Sequence, residues 1–117
     1  MKNKIKKLID VVSQPKIFKQ LLAMNSSGYL NEIGWINSFK NQMPIDENSK
    51  PLPWVTYGFI DFISERLNKN MDIFEYGSGN STLWYAKKVN SVTSIEHDKK
   101  WFEKIKNSMP KNVNINY

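Results

Sequence analysis

The chain has 117 residues and a formal net charge of +6, a size that leaves room for one modest domain. It contains no cysteine and a single histidine, which excludes disulfides and cysteine-based metal sites and leaves no ligand set for a zinc cluster. No apolar run approaches the roughly 20 residues that cross a membrane, and the basic N-terminus lacks the apolar core of a secretory leader. We therefore expect a cytoplasmic protein.

Residues 1–53 predict a helical N-terminal segment that ends in a lid loop. Two short basic amphipathic helices are expected first, the second beginning near Pro15. A third helix is expected over 28–42, and turn-forming residues mark 43–53 as a loop. A basic amphipathic start can lie on an anionic membrane, but we favour docking of its apolar side on the domain with its lysines in water. No nucleic-acid partner is expected, because aromatic and basic residues do not interleave as in RNA-binding segments.

Residues 54–117 predict an α/β alternation that forms a second unit. The expected elements are a helix from Thr56, a strand at 71–74, a helix after Ser81, a strand at 91–96, a helix capped by Asp98, and a strand at 113–117. We expect the helices before the first strand to shield one face of the sheet and the two later helices to shield the other.

The most informative motif runs from Glu75 to Thr82, between a predicted strand and a predicted helix. Gly77 allows a sharp reversal of the chain, and Gly79 lets a ligand approach the backbone without meeting a Cβ. Glu96 ends the next predicted strand, 19 residues after Gly77, where a carboxylate commonly binds ribose hydroxyls. A nicotinamide-binding loop would carry a third glycine at Thr82, and its pyrophosphate would disfavour Glu75. The motif therefore favours a nucleotide ligand with a cationic end over NAD. The simpler alternative is an α/β protein whose glycines only form a tight turn.

The sequence E-Y-G-S-G-N-S-T at 75–82 resembles motif I of the class I S-adenosylmethionine-dependent methyltransferases. With I-E-H-D-K-K-W-F at 95–102 and P-L-P-W-V-T-Y at 51–57, it resembles one group of small bacterial enzymes of this class over about residues 25–117. Gly58 departs from the pattern, which has a proline there. The resemblance implies a Rossmann-like sheet, S-adenosylmethionine as cofactor, and transfer of a methyl group to a small-molecule or glycan acceptor.

The resemblance also implies the residues that bind the cofactor. They are Glu75, Gly77, Ser78, Gly79, Asn80, Ser81, Glu96 and His97. Glu75 is expected near the methionine amino group, the 77–81 turn under the methionine and ribose, and Glu96 on the ribose hydroxyls. His97 is expected at the cofactor edge rather than as a general base.

The resemblance assigns no catalytic residue, because in this class the groups that act on the acceptor follow the fourth strand. Trp54 and Tyr57 are candidates for lining the cleft, with core or lid packing as the alternative reading of each.

Methyltransferases of this class have a seven-stranded sheet in the order 3-2-1-4-5-7-6 and need roughly twice this length. The residues predict only strands 3-2-1. We therefore expect the N-terminal part of such an enzyme, from a truncated gene or an expression fragment, inactive alone and able to self-associate through its open sheet edge. The alternative is a non-catalytic cofactor-binding module or one half of a two-chain assembly.

Overall fold

The computed structural model describes residues 5, 9, 10 and 12–117 of the chain. Helices with defined bounds before the sheet are α1 (Pro15–Ala23), α2 (Tyr29–Glu32), α3 (Trp35–Asn41) and α4 (Tyr57–Ser64). The sheet region contains β1 (Asp72–Tyr76), α5 (Asn80–Lys88), β2 (Ser91–Ile95), α6 (Lys99–Ile105), a 3₁₀ turn (Lys106–Ser108) and β3 (Val113–Asn116). The three strands are parallel, in the order β1-β2-β3, which confirms the predicted mixed α/β class.

Side-chain caps fix where two of the helices begin. The Thr56 hydroxyl accepts the Phe59 N–H at the start of α4 (3.3 Å). The Asp98 carboxylate accepts the N–H groups of Lys100 (2.8 Å) and Trp101 (3.1 Å) at the start of α6, so its predicted capping role is confirmed.

Gly34 divides the single helix predicted over 28–42 into α2 and α3. Its φ of +79° lies in the left-handed region, which an L side chain rarely adopts. A Cβ at Gly34 would also lie 2.5 Å from backbone atoms of Asp46. Glycine is therefore required where this corner meets the 43–53 loop, and the prediction of one continuous helix is wrong.

The core lies between the sheet and α5. Ile73, Val92 and Val113 are in register across the three strands. They pack against Ala86 and Val89 of the α5 segment, and Val89 and Val92 are fully buried. Because side chains alternate along a strand, these three residues project from the same face of the sheet.

The opposite face of the sheet is open at β1. Phe74 and Tyr76 are 54% and 84% exposed, and their rings meet edge to face at 5.1 Å. The expectation that the preceding helices shield this face is wrong, because α4 lies on the same side as α5. Lys88 Nζ donates to Ser64 Oγ at the end of α4 (2.8 Å), and Leu67 packs on the core cluster.

Among the described residues, no strand pairs with the outer edge of β1. Asn90 N–H donates to Met71 C=O, and Gly77 N–H donates to Ile95 C=O. The odd-numbered residues of β1 therefore direct their backbone groups toward β2. The groups that face away belong to Asp72, Phe74 and Tyr76.

Helix α1 makes no buried contact with the rest of the described structure. None of its residues is buried, so the expected docking of its apolar side on the domain is not observed. The radius of gyration is 18.6 Å, whereas a compact domain of this length has about 13 Å. In the described ranges, no helix is long and apolar enough to cross a bilayer.

Candidate functional site

A cavity of about 920 Å³ opens at the carboxyl ends of β1 and β2. The residues that the sequence analysis proposed for cofactor binding all contribute to its wall: Glu75, Gly77, Ser78, Gly79, Asn80, Ser81, Glu96 and His97. The parallel register explains this convergence, since Glu75 pairs with Ser94 and the chain leaves both strands at the same edge of the sheet.

The two glycines of the turn have different roles. Gly77 has a φ of +82°, which favours glycine, and its N–H donates to Ile95 C=O (2.8 Å). Gly79 has no such constraint, and a Cβ added there would meet nothing within 4 Å. Gly77 thus shapes the turn, whereas Gly79 leaves open space beside the backbone.

Glu96 ties the glycine turn to the end of β2. Its side chain accepts the Ser78 N–H at Oε2 and the Asp98 N–H at Oε1, both at 2.9 Å. Burial opposes ionisation of the carboxyl, but these N–H donors and the adjacent His97 outweigh it and lower the pKa of Glu96. Glu96 is therefore a fixed anion, only 4% exposed, in the cavity wall.

Glu75 is hydrogen-bonded by side-chain hydroxyls, whereas Glu96 is bonded by backbone N–H groups. The Thr82 hydroxyl donates to Glu75 Oε1 and accepts the Gly79 N–H (2.9 Å), so one side chain connects β1, the turn and α5. Burial raises the pKa of Glu75 in spite of hydrogen bonds from Thr82, Ser81 and Ser94. An ionised Glu75 is thus under-solvated, and a nearby cation would favour its charged form.

Trp101 of α6 is a further residue of the cavity wall and is not among the predicted site residues. Its indole Nε1 donates to Ser78 C=O (2.7 Å), which holds α6 against the turn. Ser94 Oγ donates to Gly77 C=O (3.0 Å) and lies 2.5 Å from Ser78 Oγ. The sequence offers one clue to this contact, because a buried indole N–H needs an acceptor and the carbonyls of a turn can supply it.

His97 and Trp54 lie at the cavity rim. The His97 side chain is 95% exposed, and its Nδ1 is 3.4 Å from Glu96 Oε1. Trp54 is 86% exposed and lines the cavity. Tyr57 lines an adjoining cavity of about 790 Å³, which shares Trp54 with the first cavity.

The 43–53 loop is joined to the site by Asn80. Its side-chain amide donates to Pro44 C=O (2.7 Å), which places Met43 and Pro44 in the cavity wall. Ser38 holds the loop from the other side. Its hydroxyl donates to the Ile45 C=O (2.7 Å) and accepts the Ile45 N–H (2.9 Å).

The polar groups of the wall lie together at the carboxyl ends of β1 and β2. They combine two carboxylates with the first turn of α5, whose N–H groups lack intrahelical acceptors. Among the described residues, no group of three His, Cys, Asp or Glu side chains could hold a metal ion.

The chain matches no protein-family model, and no curated protein matches its sequence.

Proposed function

We propose that the cavity binds S-adenosylmethionine, and that the chain is the cofactor-binding part of a methyltransferase that acts on a small-molecule or glycan acceptor. The observation that carries this proposal is the meeting of Glu75, the open Gly79 backbone and Glu96 at the carboxyl ends of adjacent parallel strands. Ligands of open α/β sheets bind at this edge.

Each part of the cofactor has a matching group in the wall. Each oxygen of Glu96 accepts one backbone N–H, and a carboxylate oxygen has a second lone-pair site for a ribose hydroxyl. Glu75 supplies negative charge for the ammonium and sulfonium end. The first-turn N–H groups of Asn80 and Ser81 are suited to the amino-acid carboxylate.

The same wall disfavours NAD. Thr82 occupies the position of the third glycine in a nicotinamide-binding loop, and it is fully buried with its hydroxyl committed to Glu75 and Gly79. A pyrophosphate at the start of α5 would also lie near the Glu75 carboxylate. The like charges would repel, which lowers affinity for a dinucleotide.

The chain's own contribution to methyl transfer is binding and orientation. When bound, the cofactor supplies an electrophilic methyl group on a sulfonium sulfur. The two carboxylates and the turn fix the position of the ligand, and alignment is the main requirement of a direct displacement. His97, 95% exposed at the cavity rim, is assigned to the cofactor edge and not to the role of a base.

Isothermal titration calorimetry with S-adenosylmethionine, S-adenosylhomocysteine and NAD tests the proposed ligand. The first two are expected to bind, weakly in this chain because its sheet edge is open, and NAD is not. Preferential binding of NAD would contradict the proposal.

A second candidate function is a non-catalytic module that binds the same ligand. It is favoured by the position of His97, the single histidine of the sequence, whose side chain is 95% exposed at the cavity rim. Incubation of the chain with S-adenosylmethionine and pools of phenols and glycans tests whether these residues transfer the methyl group. Formation of S-adenosylhomocysteine would rule out the non-catalytic module, whereas ligand binding without turnover is expected for the module and for an isolated cofactor-binding part.

A further inference from the structure

Helix α1 carries an apolar stripe, which we define as Ile17, Phe18, Leu21 and Leu22. These side chains are 46%, 40%, 48% and 58% exposed, and no residue of the helix is buried. At 100° per residue they fall within an arc of roughly 140° on the helix surface. The stripe is therefore continuous and open to water.

The other side of α1 is polar and basic. Lys16, Lys19 and Gln20 project between the ends of the apolar arc, and all three are exposed. Lysine and glutamine are good helix formers, and Pro15 is tolerated at the first helical position. The helix is thus amphipathic along its whole length.

The charge of the chain is concentrated in the same region of the sequence. Residues 1–23 contain six lysines and one aspartate, so they account for +5 of the net charge of +6. The remaining 94 residues are almost balanced, with 11 basic and 10 acidic side chains. A partner selected by charge would therefore be anionic and would meet this segment first.

We propose that α1 binds the surface of an anionic membrane, with the apolar stripe at the boundary of the acyl chains and the lysines at the lipid phosphates. Both features of the helix are then used, since lipid removes the stripe from water and the phosphates match the lysines. A nucleic acid would match only the lysines and leave Phe18 and Leu21 in water. Docking on the domain, which we favoured from the sequence, lacks the buried contact that it requires.

Co-sedimentation with vesicles tests this proposal. The full chain is mixed with vesicles of phosphatidylcholine alone or with 30% phosphatidylglycerol. We expect at least tenfold tighter binding to the anionic vesicles, because several lysines contribute at the surface and each favours binding severalfold. Salt at 0.5 M should release the chain, since the Debye length then falls below 5 Å.

Two substitutions in α1 separate insertion of the stripe from charge attraction. Leu21→Glu and Gln20→Glu add the same negative charge one residue apart, the first within the stripe and the second on the polar side. Both sites are exposed, so the sheet should fold normally, which thermal melting checks. Leu21→Glu should weaken vesicle binding at least tenfold, whereas Gln20→Glu should weaken it only severalfold.

Several outcomes would overturn the proposal. Equal binding of the two variants would show that the stripe does not enter the membrane. Equal binding to both kinds of vesicle would show that the lysines do not contact anionic lipid. Tighter binding to a DNA duplex than to anionic vesicles, unchanged by Leu21→Glu, would assign the surface to nucleic acid instead.

Discussion

Gly77 and Gly79 are two residues apart but are needed for different reasons. Gly77 supplies a left-handed backbone, whereas the backbone of Gly79 would accept a side chain that points into open space. Gly79→Val should therefore leave the fold intact and weaken cofactor binding at least tenfold. Gly77→Val should instead lower the free energy of unfolding, by at least about 1–2 kcal/mol. Thermal melting and calorimetry of the two variants check this, and equal losses of stability would contradict the assignment.

Glu75 should make stability depend on pH in a specific direction. Burial raises its pKa, so the folded chain binds this proton more tightly than the unfolded chain. The stability that the group contributes is complete below pH about 4.5 and is lost as pH rises through the folded-state pKa. Glu75→Gln keeps an oxygen that can accept a hydrogen bond from the Thr82 hydroxyl. The free energy of unfolding of this variant should be higher than that of the wild type at neutral pH but not at pH 3.5.

Urea unfolding of both proteins at the two pH values measures this difference. A Gln variant that is less stable than wild type at neutral pH would mean that the ionised carboxylate is well solvated or paired. Calorimetry on the same variant should show weaker binding of the cationic ligand.

At the scale of elements, Asn80 couples the 43–53 loop to α5. Asn80→Ala removes the hydrogen bond to Pro44 C=O, the same carbonyl that accepts the Leu52 N–H (3.0 Å). Loss of one such bond, worth about 1 kcal/mol, should speed amide hydrogen exchange at Leu52 about fivefold. Asn114→Ala, at an exposed position in β3, is the control and should leave Leu52 unchanged. Unaltered protection in both variants would show that the loop is held by other contacts.

Local signals in the sequence predicted most of the elements and the part of the cavity wall formed by the 77–81 turn, Glu75, Glu96 and His97. Asp98 and Thr56 are recognisable caps, and the glycine turn between two β-prone runs predicts where parallel strands converge. The break at Gly34 could not be predicted because a lone glycine is tolerated in a helix, and its left-handed φ and the approach of Asp46 appear only in the structure.

Features that depend on distant contacts could not be predicted in the same way. Amphipathicity indicates that α1 and α4 have apolar sides but not what covers them. The bond from Lys88 to Ser64 places α4 beside α5, and its partners are 24 residues apart. The contact of the Trp101 indole with Ser78 likewise joins residues 23 positions apart. The division of the chain at residue 53 stays a prediction.

At the scale of the whole molecule, the open edge of β1 should cause self-association. Its outward-facing backbone groups pair with no described strand and lie beside the exposed rings of Phe74 and Tyr76. Such an edge can pair with a strand of another molecule. Phe74→Lys should reduce association in sedimentation experiments. Thr93→Lys is the matched control, because it adds the same charge on the same face of the central strand. A monodisperse wild-type monomer with a sharp, high melting transition would contradict this prediction.

The central claim is that the cavity at the ends of β1 and β2 binds S-adenosylmethionine. Titration of the ¹⁵N-labelled chain with S-adenosylhomocysteine, followed by NMR, tests it most directly, because weak binding is still detected and located. We expect saturable shifts concentrated at 77–81 and at Glu96 and His97. Glu96→Ala should weaken the binding free energy obtained from this titration by roughly 1.5–3 kcal/mol, the contribution of a hydrogen bond to a charged group. The claim would be contradicted by shifts confined to other residues or by the absence of saturable shifts. It would also be contradicted if NAD saturated the shifts at a lower concentration than S-adenosylhomocysteine.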